Sequence, residues 1–267
     1  MDARTGDGDI ESSRPPNTKV AKNSARRHTL SEQVVEAVVA RAARGLILPG
    51  DRLVEAVIAG ELKISRIPVR EALRLLESQG LVVSTPYKGV RLSPMSHTRL
   101  DQIAEVRIGL EVIAARRAVA LGKNQKADVK PLERKIEKLE QMAKRRDSYG
   151  IASADAAFHR ELCRLSENDL LCSVWENVAR PLTIIIGLST FSKSMEEIVE
   201  EHRLLLDVLL RGKRSELTRV IEQHIRAQHG GLDFEKIIEE RRRQREARVR
   251  EMNRRWRQGS FSSVLRG

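Results

Sequence analysis

Four side chains in this sequence could share one metal ion. Asp155 and His159 stand four residues apart in the run DAAFH. On a helix that spacing puts both on one face, within reach of a single ion. His202 and His224 fall on consecutive predicted helices whose turn centres near Lys213, and each is 11 residues from that point. At about 1.5 Å per residue both lie ~16 Å from the turn, so antiparallel packing sets them side by side. One carboxylate and three imidazoles suit a divalent ion such as zinc, nickel or manganese. Three or four protein ligands leave room for water or a small ligand. Any one of these histidines alone reads as a hydrogen-bonded interior residue; the DAAFH spacing and the matched heights together favour the metal site. His229, five residues past His224, falls on a different face.

A second set of residues has a different chemistry. Residues 65–80, SRIPVREALRLLESQG, read as one two-faced helix. Ser65 is placed to cap a free backbone N–H, Pro68 is tolerated in the first turn, and Gly80 suits a left-handed stop. Val69, Leu73 and Leu76 form an apolar stripe, while Arg66, Arg70 and Arg74 recur every four residues on another face. A short helix with one buried face and outward arginines has the build of a helix that enters a DNA major groove.

The surrounding elements must position both sets. Residues 30–46 read as an amphipathic helix, 48–53 (LPGDRL) as a turn, and 54–62 as a second short helix ahead of the arginine helix at 66–79. Two strand-like runs follow, 81–84 and 89–92, joined by TPYK. Three helices and then a hairpin is the order of a winged helix-turn-helix, with a generic three-helix packing unit as the plainer alternative. From Ser96 on the pattern is helical: 98–121, 127–146, 149–166, 168–189, 194–211, 215–230 and 233–257, with Asn168 and Ser215 as candidate caps and Pro181 predicting a kink. No 20–50-residue period repeats, so the arrangement expected is an antiparallel all-α bundle. The fold class is therefore mainly α. The expected divisions are a disordered arm at 1–29, a winged helix-turn-helix at 30–95, a helical domain at 96–232, to which the resemblance described below gives effector binding and dimerisation, and a basic extension at 233–267.

Composition narrows the function. Aromatics are 3% and other hydrophobics must do the packing, which favours helices. The two cysteines, Cys163 and Cys172, form neither a disulfide framework nor a zinc-finger spacing and fit a reducing cytosol. The first residues lack the apolar core of a signal peptide, and the longest apolar run, 182–188, is too short for a bilayer. The net charge of +12 is unevenly spread: residues 99–240 carry 24 basic and 24 acidic side chains, residues 241–267 carry 10 and 2. A basic balance points to a polyanionic partner, inflated here by the tail. No HExxH run, Gly-rich phosphate loop or G-x-S-x-G elbow is present, which argues against an enzyme.

With these residues in view, PGDRLVEAVIAGELKISRIPVREALRLLESQGLV resembles the DNA-binding signature of GntR-type bacterial transcription regulators. EVRIGLEVIAARRAVA, DAAFHRELCRLSEND and EHRLLLDVLLRGKRSELTRVIEQHI resemble the helical effector domain, of FCD type, of the FadR subfamily. The resemblance implies a cytoplasmic homodimer, with no membrane partner, that binds a double-stranded inverted-repeat operator and responds to a small carboxylate effector. It implies DNA contacts at Ser65, Arg66, Arg70 and, in the wing, Lys88 and Gly89; Arg74 continues the arginine face. Tyr87 reads as a DNA contact or as hairpin packing, packing being preferred. Asp155, His159, His202 and His224 fall on the family's metal ligands. Arg107 falls where a cation faces the bound carboxylate, with a salt bridge to Glu111 as the equal alternative, and Asn168 reads as an effector contact or, preferably, a helix cap.

The chain departs from the pattern at Ala56, Ile67, Gly60 and Lys63, which bears on operator sequence and affinity. The basic tail reads first as a solvated helix and second as a sequence-independent contact to DNA backbone. Two other functions stay open at this point: a metal-dependent hydrolase, and a non-specific nucleic-acid binder acting through the tail.

Overall fold

The computed structural model describes residues 29–228, 230 and 232–257. Residues 1–28 of the expected arm at 1–29, together with His229, Gly231 and the last ten residues, lie outside these. Three helices open the chain: α1 (Leu30–Ala43), α2 (Glu55–Leu62) and α3 (Arg66–Ser78). Thr29 and Glu32 close a reciprocal capping box at the start of α1. Gly80 takes the left-handed conformation just past α3, as its position suggested. Ser65 occupies the N-cap of α3 with extended backbone, but its hydroxyl makes no capping bond, so that expectation fails.

The hairpin is part of a three-stranded sheet. β2 (Val82–Thr85) and β3 (Gly89–Leu92) pair antiparallel as expected, from Val82↔Leu92 to Thr85↔Gly89. A third strand, β1 (Arg52–Leu53), pairs with the other edge of β3 through Arg52↔Arg91. It lies inside the segment expected to be only a turn. Two residues are too few to show a period of two.

The rest of the described chain is helical: α4 (His97–Ala120), α5 (Lys130–Lys144), α6 (Ser148–Arg164), α7 (Asp169–Ser189), α8 (Met195–Arg211), α9 (Arg214–Ala227) and α10 (Phe234–Arg257). α4 to α9 form the bundle, with α6 against α5 and α7, and α9 against α4 and α8. Its core gathers Leu139, Ile151, Phe158, Trp175, Ile198 and Ile221. Lys213 rather than Ser215 holds the N-cap of α9. α7 continues through Pro181 as one helix. It is long and apolar enough to cross a membrane, yet it is largely buried in the protein, as a core helix would be.

The winged region and the bundle share apolar core. Val35, Val69, Leu73 and Leu76 pack in one cluster with Leu100 and Ile103 of α4, Ile184, Ile185 and Leu188 of α7, and Phe234 of α10. α1 crosses α7 at Gly187, where an added Cβ would lie 2.5 Å from Ala43 Cβ and 2.6 Å from Ala43 O. Only glycine permits that approach.

Candidate functional site

One exposed face gathers the basic residues of the winged region. Arg66, Arg70 and Arg74 are exposed on α3, opposite buried Val69, Ala72, Leu73 and Leu76. Arg70 donates from Nε to Glu55 Oε2 of α2 at 2.7 Å. With Arg70 57% exposed, this pair contributes little stability, but it constrains where the guanidinium points. Ser65 and Ile67 are exposed beside Arg66. The wing carries Tyr87 and Lys88 at its tip. Tyr87 is fully exposed with φ +63, so the packing role preferred for it is not found. Gly89, at φ +79, lies against Arg52, whose Nε is 3.1 Å from the place a Cβ would take.

The second site is inside the bundle. α6 contributes Asp155 and His159, α8 His202, and α9 His224. All four are buried, and one ligand atom from each lies within 4.8 Å of the others. His159 Nε2 is 3.1 Å from His224 Nε2. His202 Nε2 is 3.2 Å and His159 Nε2 4.0 Å from Asp155 Oδ1. Ligands about 2.0–2.2 Å from a tetrahedral ion stand roughly 3.3–3.6 Å apart, so this set needs little adjustment to hold one. The i, i+4 spacing and the matched heights predicted this meeting.

The surrounding residues determine which nitrogen of each ring faces inward. His202 Nδ1 donates to Ile198 O at 2.7 Å. His159 Nδ1 lies 2.6 Å from Glu111 Oε2, and His224 Nδ1 faces Glu201 Oε2 at 3.6 Å. With protons on Nδ1, the Nε2 lone pairs converge on a carboxylate, the orientation that outer partners impose in metal sites. Asp155 Oδ2 and His202 Nε2 are buried with no hydrogen-bond partner. Burial pushes His224 down to about 3, which keeps it neutral, and burial also lowers His159. Burial works against ionised Asp155, but His202, His159 and Arg107 outweigh it and hold its carboxyl well below the ordinary value. For Glu111, burial is likewise outweighed, chiefly by Arg107. A neutral His224 beside an ionised Asp155 is the kind of protonation a divalent ion requires of its ligands.

Arg107 is buried beside the cluster. Its Nε donates to Glu111 Oε1 at 2.7 Å, so the i, i+4 salt bridge does form. Nη1 donates to Gln228 Oε1, and Nη2 has no hydrogen-bond partner. Asn168 does cap α7, its Oδ1 accepting from Leu171 N at 3.1 Å; its hydrogen bonds do not reach the four clustered residues. The sequence treated Glu111 only as a partner for Arg107 and gave no role to Glu201 or Gln228. The proximity of Glu111 and Glu201 depends on packing between helices, whereas Gln228 stands four residues past His224, a spacing the sequence does carry.

A winged helix with an arginine-bearing third helix, joined to an all-helical bundle with a buried polar cluster, defines a class: DNA-binding regulators with a second, helical domain. Residues 30–92 match the description "Bacterial regulatory proteins, gntR family", and residues 102–227 match "FCD domain". The chain belongs to the GntR family of bacterial transcription regulators, in the FadR subfamily that carries an FCD domain. It is 28% identical over 214 residues to a probable D-xylose utilization operon transcriptional repressor of Paenarthrobacter nicotinovorans, covering 78% of this chain and 93% of the relative. An HTH-type regulator of Agrobacterium vitis, from the TAR-I ttuE-ttuC' intergenic region, is 38% identical over 115 residues, 43% of this chain and 67% of that one. Among solved structures, Escherichia coli McbR/YncC superposes with a TM-score of 0.63 at 24% identity, covering 75% of this chain and 95% of that one. A GntR-type regulator from Rhodococcus sp. RHA1 gives 0.62 at 17% identity, covering 76% and 99%. The fold is common to all of these, and the relatives are transcription regulators rather than enzymes.

Proposed function

We propose that this DNA-binding transcription regulator is a repressor whose operator binding is set by a small organic acid held at a metal centre in the bundle. The observation that carries the metal is the convergence of three inward nitrogens on the Asp155 carboxylate, with Nδ1 of His159 and His202 tied outward to Glu111 and Ile198 O. Asp155, His159, His202 and His224 would hold zinc, nickel or manganese. Bound there, the ion supplies a fixed positive charge for an effector carboxylate. Arg107, buried with Nη2 unpartnered, would add a second positive group. A relative named for the gluconate operon of Bacillus subtilis supports an acid as effector. The DNA-reading residues would be Ser65, Arg66, Arg70, Arg74, Lys88 and Gly89, working as a homodimer on an inverted repeat. Of these, arginine forks suit guanine O6 and N7 or phosphate.

Elemental analysis of untagged protein, wild type beside His202→Ala, tests the centre: the expected result is one divalent ion per chain, lost in the variant. Equal metal content in the two proteins would remove His202 from the set. Ligand identification by mass spectrometry on co-purified protein then tests the acid.

A further inference from the structure

Gln228 lies where a cation's positive charge would be needed. It follows the last residue of α9 and is buried. Its Nε2 donates to Asp155 Oδ1 at 2.9 Å and to His224 Nε2 at 3.0 Å. The side on which its amide nitrogen lies follows from Arg107, which can only donate and holds Oε1. The NH2 group is thereby turned onto two of the four inward ligand atoms. A neutral donor satisfies there what an ion would otherwise satisfy, so an ion cannot bind Asp155 and His224 together until that NH2 moves.

The chain beyond Gln228 leads directly to the winged region. Six residues on, Phe234 begins α10 and is buried in the apolar cluster that the winged region shares with α7. Arg241 stacks over the Phe191 ring at 4.1 Å. Arg242 Nη2 donates to Pro49 O at 2.5 Å. Arg245 takes Asp51 as a fork, Nη1 to Oδ2 at 2.5 Å and Nη2 to Oδ1 at 3.3 Å. Asp51 belongs to the turn that leads into β1, and Gly50 N donates to Leu92 O at the base of the wing. The first half of α10 is thus a clasp on the DNA-reading region, which corrects the expectation of a merely solvated helix.

We propose that Gln228 gates the cation site and transmits its occupancy along α10 to the Pro49–Asp51 turn. The proposal rests on the metal reading given above and adds the route by which the centre reaches the wing. Expulsion of the carboxamide displaces the end of α9. α10 starts a few residues later, so the shift loosens its hold on Asp51. Coupling of this kind is reciprocal: whatever loosens the clasp must favour the ion by the same factor.

The test uses the full chain, zinc as probe, and hydrogen exchange followed by mass spectrometry alongside calorimetric titration. In the wild type, zinc is expected to speed exchange in peptides covering 48–53 and 234–245. Gln228→Ala should bind zinc several-fold more tightly and lose the zinc-dependent change at 48–53. Asp51→Asn, half-buried in the Pro49–Asp51 turn and outside the cluster, should also tighten zinc binding several-fold. Zinc affinity unchanged by Asp51→Asn, with exchange at 48–53 insensitive to zinc in the wild type, overturns the proposal. Failure of the wild type to bind zinc, nickel or manganese at all overturns the metal reading instead.

Discussion

Arg70 shows how a single side chain can be both anchored and available. Glu55 holds its Nε, while its terminal nitrogens remain free to form a fork on a base edge. Arg70→Ala is expected to cost about 1–3 kcal/mol of operator binding, measured by fluorescence anisotropy on a selected operator, with an unchanged melting temperature. Glu55→Gln should weaken binding less, because only the orientation of the guanidinium is released. Inside the bundle the expectation concerns acid. His224 titrates at about 3 in the fold and near 6.5 in the unfolded chain, so between these values the unfolded state binds more protons. Stability of metal-free protein should therefore be complete above pH ~6.5 and fall steadily as pH drops toward 3. A chemical-denaturation series in chelator across that window reads it directly, and a flat profile would contradict the assignment. At this scale the sequence revealed the residues on single helices: Asp155 with His159, and Arg107 with Glu111. Gln228, four residues past His224, follows the same spacing as Asp155 and His159 and went unread, whereas Glu201 meets His224 only through the packing of α8 against α9.

Among the elements, α2 and α7 carry opposite lessons about glycine. Gly60 sits inside α2 with no atom within 4 Å of a Cβ, so Gly60→Ala should raise stability by about 1 kcal/mol, seen as a higher melting temperature. Gly187 lies against the backbone of Ala43, and Gly187→Ala should push α1 away from α7 and destabilise by about 1–3 kcal/mol. Lys63 adopts φ +54 between α2 and α3, a conformation that glycine takes without strain. The helices were legible because each has a continuous apolar stripe and identifiable ends. β1 was not, since Arg52 and Leu53 become a strand only by pairing with β3. The hydroxyl of Ser65 was expected to cap α3 and does not, which leaves it exposed beside Arg66.

At the scale of the molecule, α10 ties the two ends of the chain together. Phe234→Ala should cost about 3–5 kcal/mol, and because the residue is buried in the core that the winged region shares with α7, the loss should appear in the exchange protection of both. The tail's charge was legible from the count of arginines, but its attachment was not, because Asp51 lies almost 200 residues earlier in sequence. The shared core has a consequence for modularity. A reading head joined to its sensor by a flexible tether could be moved to another sensor by cutting in the tether. Here the cut surface would expose Ile184, Ile185 and Leu188 on one piece and the face of α1 that packs on α7 on the other. Residues 30–95 expressed alone should thus be prone to aggregate, and a working chimera would have to bring with it the end of α7 and the start of α10. Winged region and helical bundle in this chain are one inheritance, to be exchanged together or not at all.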